Sequence, residues 1–130
     1  EAKAQAAFTS ARAIEAKIVR DQPNYAPAWS RLGLIDAGLG RKEDAIHEGR
    51  RACELLPVAK DAMDGPSYIV NLATIYAWTG EKDLAVEQLA IAAKIPAGIT
   101  YGELKLYPQW DSLRGDPRFG KIVASLAPKR

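Results

Sequence analysis

Few side chains in this sequence are of types that do chemistry, and their spacing decides against most of it. His47 stands beside Glu48 with no second histidine or cysteine at metal-ligand spacing, and reads as a surface histidine. Cys53 is the single cysteine, so it can form neither an internal disulfide nor a thiolate zinc site. It falls where the apolar pattern predicts a core thiol and not a nucleophile. Gly33, Gly38 and Gly40 lack the Lys-Ser/Thr ending and the preceding strand of a phosphate loop. Glu103, Asp111 and Asp116 are close in sequence and could suggest paired acid/base carboxylates, but Arg114 and Arg118 interleave with them and explain them as turn caps and ion pairs. An enzyme would rest on that cluster alone, so no catalytic residue, metal ligand or cofactor is expected.

What must position any functional surface is therefore the fold. The 130 residues, 48% hydrophobic and 26% charged, suit one soluble domain with a single core. Alanine is the commonest residue, 23 against two phenylalanines, which fits close-packed helices better than strands and predicts an all-α domain. A formal net charge of +2 supplies no strong field for nucleic acid or anionic lipid, although residues after 100 lean basic. No apolar run approaches the roughly 18 residues of a membrane span, and no charged-then-apolar leader is present. Glu1 opens in mid-helical pattern without Met, as expected of a piece cut from a longer protein.

Sliding the chain by forty residues pairs Leu32 with Leu72, Ile35 with Ile75, Ala37 with Ala77, Gly40 with Gly80, Ala45 with Ala85 and Ala52 with Ala92. A weaker copy lies upstream, where Ala11 and Pro23 match Ala45 and Pro57. Each unit reads as two helices around a glycine turn. Pro27 opens the first, with Trp29, Leu32, Ile35 and Leu39 at spacings of three and four, and Gly40 ends it. A helix from about Lys42 through Leu56 follows, with Pro57 beyond its end. The second unit runs through Ile69, Leu72, Ile75 and Tyr76 to Gly80, then Leu84, Ala85, Leu89 and Ala92 before Pro96.

These residues resemble the tetratricopeptide repeat, a helical hairpin of about 34 residues. The first unit supplies Trp29, Leu32, Gly33, Gly40, Ala45, Ala52 and Pro57 at the family's positions, and the second Ile69, Leu72, Ala73, Tyr76, Gly80, Ala85, Leu89 and Ala92. The resemblance implies a right-handed α-α superhelix of stacked hairpins in a single domain, divided into the second helix of a partial repeat (1–25), a repeat (26–59), an insertion (60–65), a repeat (66–99) and a capping tail with a final helix (100–130). Gly33 or Ala73 facing Ala45 or Ala85 would let paired helices approach closely. Asp36 in place of an aromatic and Gly49 in place of a bulky residue predict looser packing in the first unit. The insertion could bulge as a loop at little entropic cost, but an added turn of helix that Gly65 stops is favoured. The tail run Trp110-Asp111-Ser112-Leu113-Arg114-Gly115-Asp116-Pro117-Arg118-Phe119 is similar to the endings of bacterial signalling and regulatory proteins linked to kinases, cyclases or winged-helix segments. That implies a bacterial setting, cytoplasmic over periplasmic. Trp110, Leu113, Phe119, Ile122 and Leu126 would cap the stack, with Asp116 and Pro117 starting the last helix.

The same resemblance places a concave, partner-binding groove on Ser30, Leu34, Ala37, Ser67, Val70, Asn71, Thr74 and Trp78, with Pro27, Gly38 and Ala77 beside them. Ser30 and Leu34 stand where relatives that grip an acidic peptide terminus carry Lys and Asn, which disfavours that role. The expected function is non-catalytic recognition of a peptide or partner protein. The alternative is a structural spacer or a homo-oligomer formed through the N-terminal helix, whose Ala4, Ala7, Phe8, Ala11, Ile14 and Ile18 form an apolar stripe.

Overall fold

The computed structural model describes residues 2–56, 65–96 and 98–128. Among them the regular structure is helical: α1 (Ala2–Asp21), α2 (Ala26–Gly38), α3 (Lys42–Leu55), α4 (Gly65–Trp78), α5 (Lys82–Ala93), α6 (Tyr101–Leu106), a 3-10 helix (Pro108–Leu113) and α7 (Pro117–Leu126). The helices pack in hairpin-like pairs, α2 with α3 and α4 with α5. α1 lies along α2, and α4 packs on both α2 and α3.

The two hairpins turn in the same way because glycine permits it. Gly40 and Gly80 have φ of 78° and 85°, a left-handed conformation that costs other residues free energy. Around them the Arg41 amide donates to the Asp36 carbonyl and the Glu81 amide to the Tyr76 carbonyl, both at 2.8 Å, so helix-end carbonyls are satisfied. Arg41 and Glu81 then accept at their carbonyls from Ala45 and Ala85, which starts α3 and α5. Lys42 pairs with Glu81, tying one turn to the other.

Small residues set how closely the helices approach. A Cβ on Gly33 would lie 3.1 Å from the Gly49 nitrogen and 3.2 Å from the Ala45 carbonyl oxygen. The notch between Gly33 and Gly49 is filled from the second hairpin: Ile75 Cδ1 lies 2.8 Å from such a Cβ on Gly33 and 2.7 Å from one on Gly49. Ile75 is fully buried. The expected looseness of the first unit is therefore not found, because the volume missing at Gly49 is supplied by a side chain of another helix. In the second hairpin Ala73, Ala85, Leu89 and Ala92 are fully buried.

Gly65, expected to stop the inserted turn, lies at the edge of the described residues. It is the buried first residue of α4, followed by Pro66, where proline's fixed φ suits a helix start. The extra turn expected before it lies outside the described residues. In the tail, Leu104, Trp110 and Leu113 are fully buried and Phe119 nearly so, in one cluster with Leu72, Ala73, Tyr76 and Leu89. Ile122 and Leu126 sit half-buried at its edge. Thr100 and Glu103 close a capping box on α6. Asp116 caps α7 by accepting from the Arg118 amide, with Pro117 at the first helical position.

Ile75→Ala removes the group that interlocks the two hairpins. A loss of about 2–4 kcal/mol in urea unfolding is expected; a loss below about 1 kcal/mol would show that the notch closes without it.

Candidate functional site

The candidate groove is assembled from α2 and α4, which run beside each other, and the structure divides its residues into two sets. Ser30, Ala37 and Thr74 are buried. The Asn71 side-chain amide donates to the Ser30 hydroxyl at 2.8 Å, stitching α4 to α2. Thr74 donates to the Val70 carbonyl and accepts from the Gln109 amide at 3.3 Å, and Ser112 donates to the Ala77 carbonyl. The tail's 3-10 helix thus lies against the second half of α4, over Thr74 and Ala77. Gly38 is approached by the Phe8 ring of α1, 3.0 Å from where a Cβ would be.

A second set stays open to a partner. Leu34, Val70 and Asn71 are half-buried and Ser67 is exposed. Trp78 closes α4 with 48% of its surface exposed, an unusual fraction for a residue whose burial is so favourable. In the tail, Trp110 is buried in the core while Tyr107 is half exposed.

The remaining candidates for chemistry have structural roles. His47 is exposed, with its ring edge against Trp29 at 6.1 Å between centroids. Burial, with a smaller contribution from Glu54, pushes the Cys53 thiol up to about 11, so it is not a thiolate near neutral pH. Glu103 belongs to the capping box, Asp111 pairs with Arg114 at 3.0 Å, and Asp116 pairs with Arg118, which also reaches Asp83 of α5. Hydrogen bonds from Arg118 hold the Asp116 carboxyl down at about 2. Arg114 additionally donates to the Leu104 and Tyr107 carbonyls, pinning α6 to the 3-10 helix. Among the described residues no group of three His, Cys, Asp or Glu side chains is placed to hold a metal ion, and no helix is long and apolar enough to cross a membrane.

One cluster escaped the sequence reading. Asp36 is fully buried and Glu48 nearly so, on facing helices of the first hairpin. Asp36 Oδ1 accepts from Arg12 Nε of α1 at 2.6 Å. Burial first, then hydrogen bonding of its protonated form to Asp36 and repulsion by the Asp36 charge, push the Glu48 carboxyl up to about 9, against the opposing pull of Arg12. The available signal was Asp36 itself, a charge in an aromatic's slot.

No family profile matches the chain, and no solved structure matches it. Superkiller complex protein 3 of Homo sapiens is 35% identical to it over 81 residues, which are 62% of this chain and 5% of that protein. The chain therefore spans about one twentieth of the length of this relative. The similarity and the paired helices are compatible with a tetratricopeptide-like fold.

The two tryptophans should separate surface from core. Trp78→Ala is expected to change stability by less than about 1 kcal/mol, whereas Trp110→Ala costs about 3–5 kcal/mol. Chemical denaturation of both variants checks this, and an equal loss in each would place Trp78 in the core.

Proposed function

We propose that this chain is a non-catalytic protein-interaction domain in which stacked hairpins present an open strip to a peptide or partner protein. Its hairpins are tetratricopeptide-type repeats of a right-handed superhelix, with residues 1–25 as part of a preceding unit, a 60–65 insertion between the units, and 100–130 as a cap. The observation that carries this reading is Trp78, half exposed at the end of α4, with the exposed Ser67 and the half-buried Val70 and Asn71 in the first half of the same helix and the half-buried Leu34 on α2. A rigid aromatic left half exposed is the composition of an interface anchor. The side chains of Leu34, Ser67, Val70, Asn71 and Trp78 carry no charge, which favours a partner recognised by shape and apolar contact. Because α2 and α4 are fixed by packing and by the Asn71–Ser30 bond, little ordering cost falls on this side of a complex. The relative's name makes it a protein of a complex, which agrees with a role in assembly. The tail run 110–119 supports a bacterial signalling or regulatory setting for the domain.

Selection of binders from a displayed peptide library, followed by titration against wild type and Trp78→Ala, tests this. An affinity loss of about tenfold or more on a retained fold is expected. Unchanged affinity for every selected peptide would remove Trp78 and the strip from the account.

A second reading, self-association through α1, is favoured by Ile14, which is 62% exposed on the outer side of that helix with Ala4 and Ala7. Light scattering at micromolar concentrations should then show a dimer that Ile14→Glu dissociates. A monomer throughout would end this reading and leave the first intact.

A further inference from the structure

At the meeting of α1, α2 and α3, two buried acids face one base. Arg12 Nε binds Asp36 Oδ1, while Asp36 Oδ2 and Glu48 Oε1 are both buried and, among the described residues, neither has a conventional donor. Yet α2 and α3 approach closely here, a Cβ on Gly33 lying 3.1 Å from the Gly49 nitrogen, and Asp36 is the charged group that acts most strongly on Glu48. Two carboxylate oxygens cannot hydrogen-bond unless one carries a proton. Nor can one guanidinium neutralise two carboxylates withdrawn from water, since burying an unpaired charge is strongly unfavourable.

We propose that a single proton shared between the Asp36 and Glu48 carboxyls holds the α1–α2–α3 junction closed, and that its loss to solvent in alkaline solution loosens that junction. In the closed form Glu48 is the carboxylic acid and donates its O–H to Asp36 Oδ2, while Asp36 is the carboxylate and accepts from Arg12. The three groups then sum to zero charge. When Glu48 gives its proton to the solvent, two negative charges face one positive in a buried site. The surroundings do not make up the difference. Arg41, at the start of α3, stands 3.7 Å from Asp36 Oδ1 but also binds Asp44, and Asp44 adds its own negative field. From α4, the apolar Leu72 and Ile75 approach the neighbouring Gly49.

The direction of the pH dependence follows from which state holds the proton. Glu48 loses its proton near its ordinary value of 4.5 when unfolded and near 9 when folded. Between those values the folded chain binds more protons than the unfolded one, so stability falls as pH rises and the contribution is gone above the upper value. A carboxylate held down by a partner acts in the opposite sense.

Carbon-13 NMR of the glutamate carboxyls in the wild-type chain reads the proton directly, and melting of wild type and Glu48→Gln between about pH 6 and 9 reads its effect. The glutamine amide can donate to Asp36 as the acid does, with no proton to lose. The Glu48 midpoint is expected above about pH 7, against the ordinary value of 4.5. The wild-type Tm should fall by about 5 °C or more relative to Glu48→Gln over that range. A midpoint near the ordinary value, or parallel melting curves, overturns the proposal. Should Glu48→Gln fail to fold, the wild-type midpoint alone decides.

Discussion

The structure depends on how near α2 and α3 can come. Two glycines, Gly33 and Gly49, face each other across the first hairpin, and neither has a side chain to hold the axes apart. Close approach would leave a hole if nothing entered it, and Ile75 enters it from α4. One apolar side chain therefore does for two helices what ridges and grooves do along their length. The second hairpin is consequently fixed against the first by shape, with the Asn71–Ser30 and Lys42–Glu81 contacts adding direction. Once α4 is placed, the tail has a surface to cover, and Trp110 and Leu113 cover it.

The same closeness brings Asp36 and Glu48 together. Each would be an ordinary surface acid on a helix further from its neighbour. Between helices this close, with α1 laid over them, both carboxyls are buried and Arg12 is bonded to Asp36. Packing here sets a titration, and the titration in turn limits the conditions under which the packing holds.

Much of this was legible in the sequence where a residue type has one physical meaning. Gly40 and Gly80 announce left-handed turns, Ala45 and Ala85 announce close contact, and Asp116-Pro117 announces a helix start, so the helical pairs could be drawn in advance. Legibility failed where the partner is far along the chain. Gly49 looked like a defect because Ile75, twenty-six residues on, is nowhere near it in sequence. Glu48 sits among His47, Arg50 and Arg51, which reads as a solvated face. Gly65 before Pro66 fits a helix end as well as a beginning. The candidate strip was only half legible, since no periodicity within α4 reveals that Gln109 and Ser112 will lie over Thr74 and Ala77.

The two glycine turns close with the same pair of backbone bonds, forty residues apart, yet the cores they join are unlike. The first hairpin is the socket, and the second carries the plug. A transposed chain, with α4–α5 ahead of α2–α3, would keep both turns and present Ile75 to no notch at all. The order of the units is thus written into the molecule even though their turns are interchangeable. Duplication of either hairpin alone would extend the array without reproducing its lock.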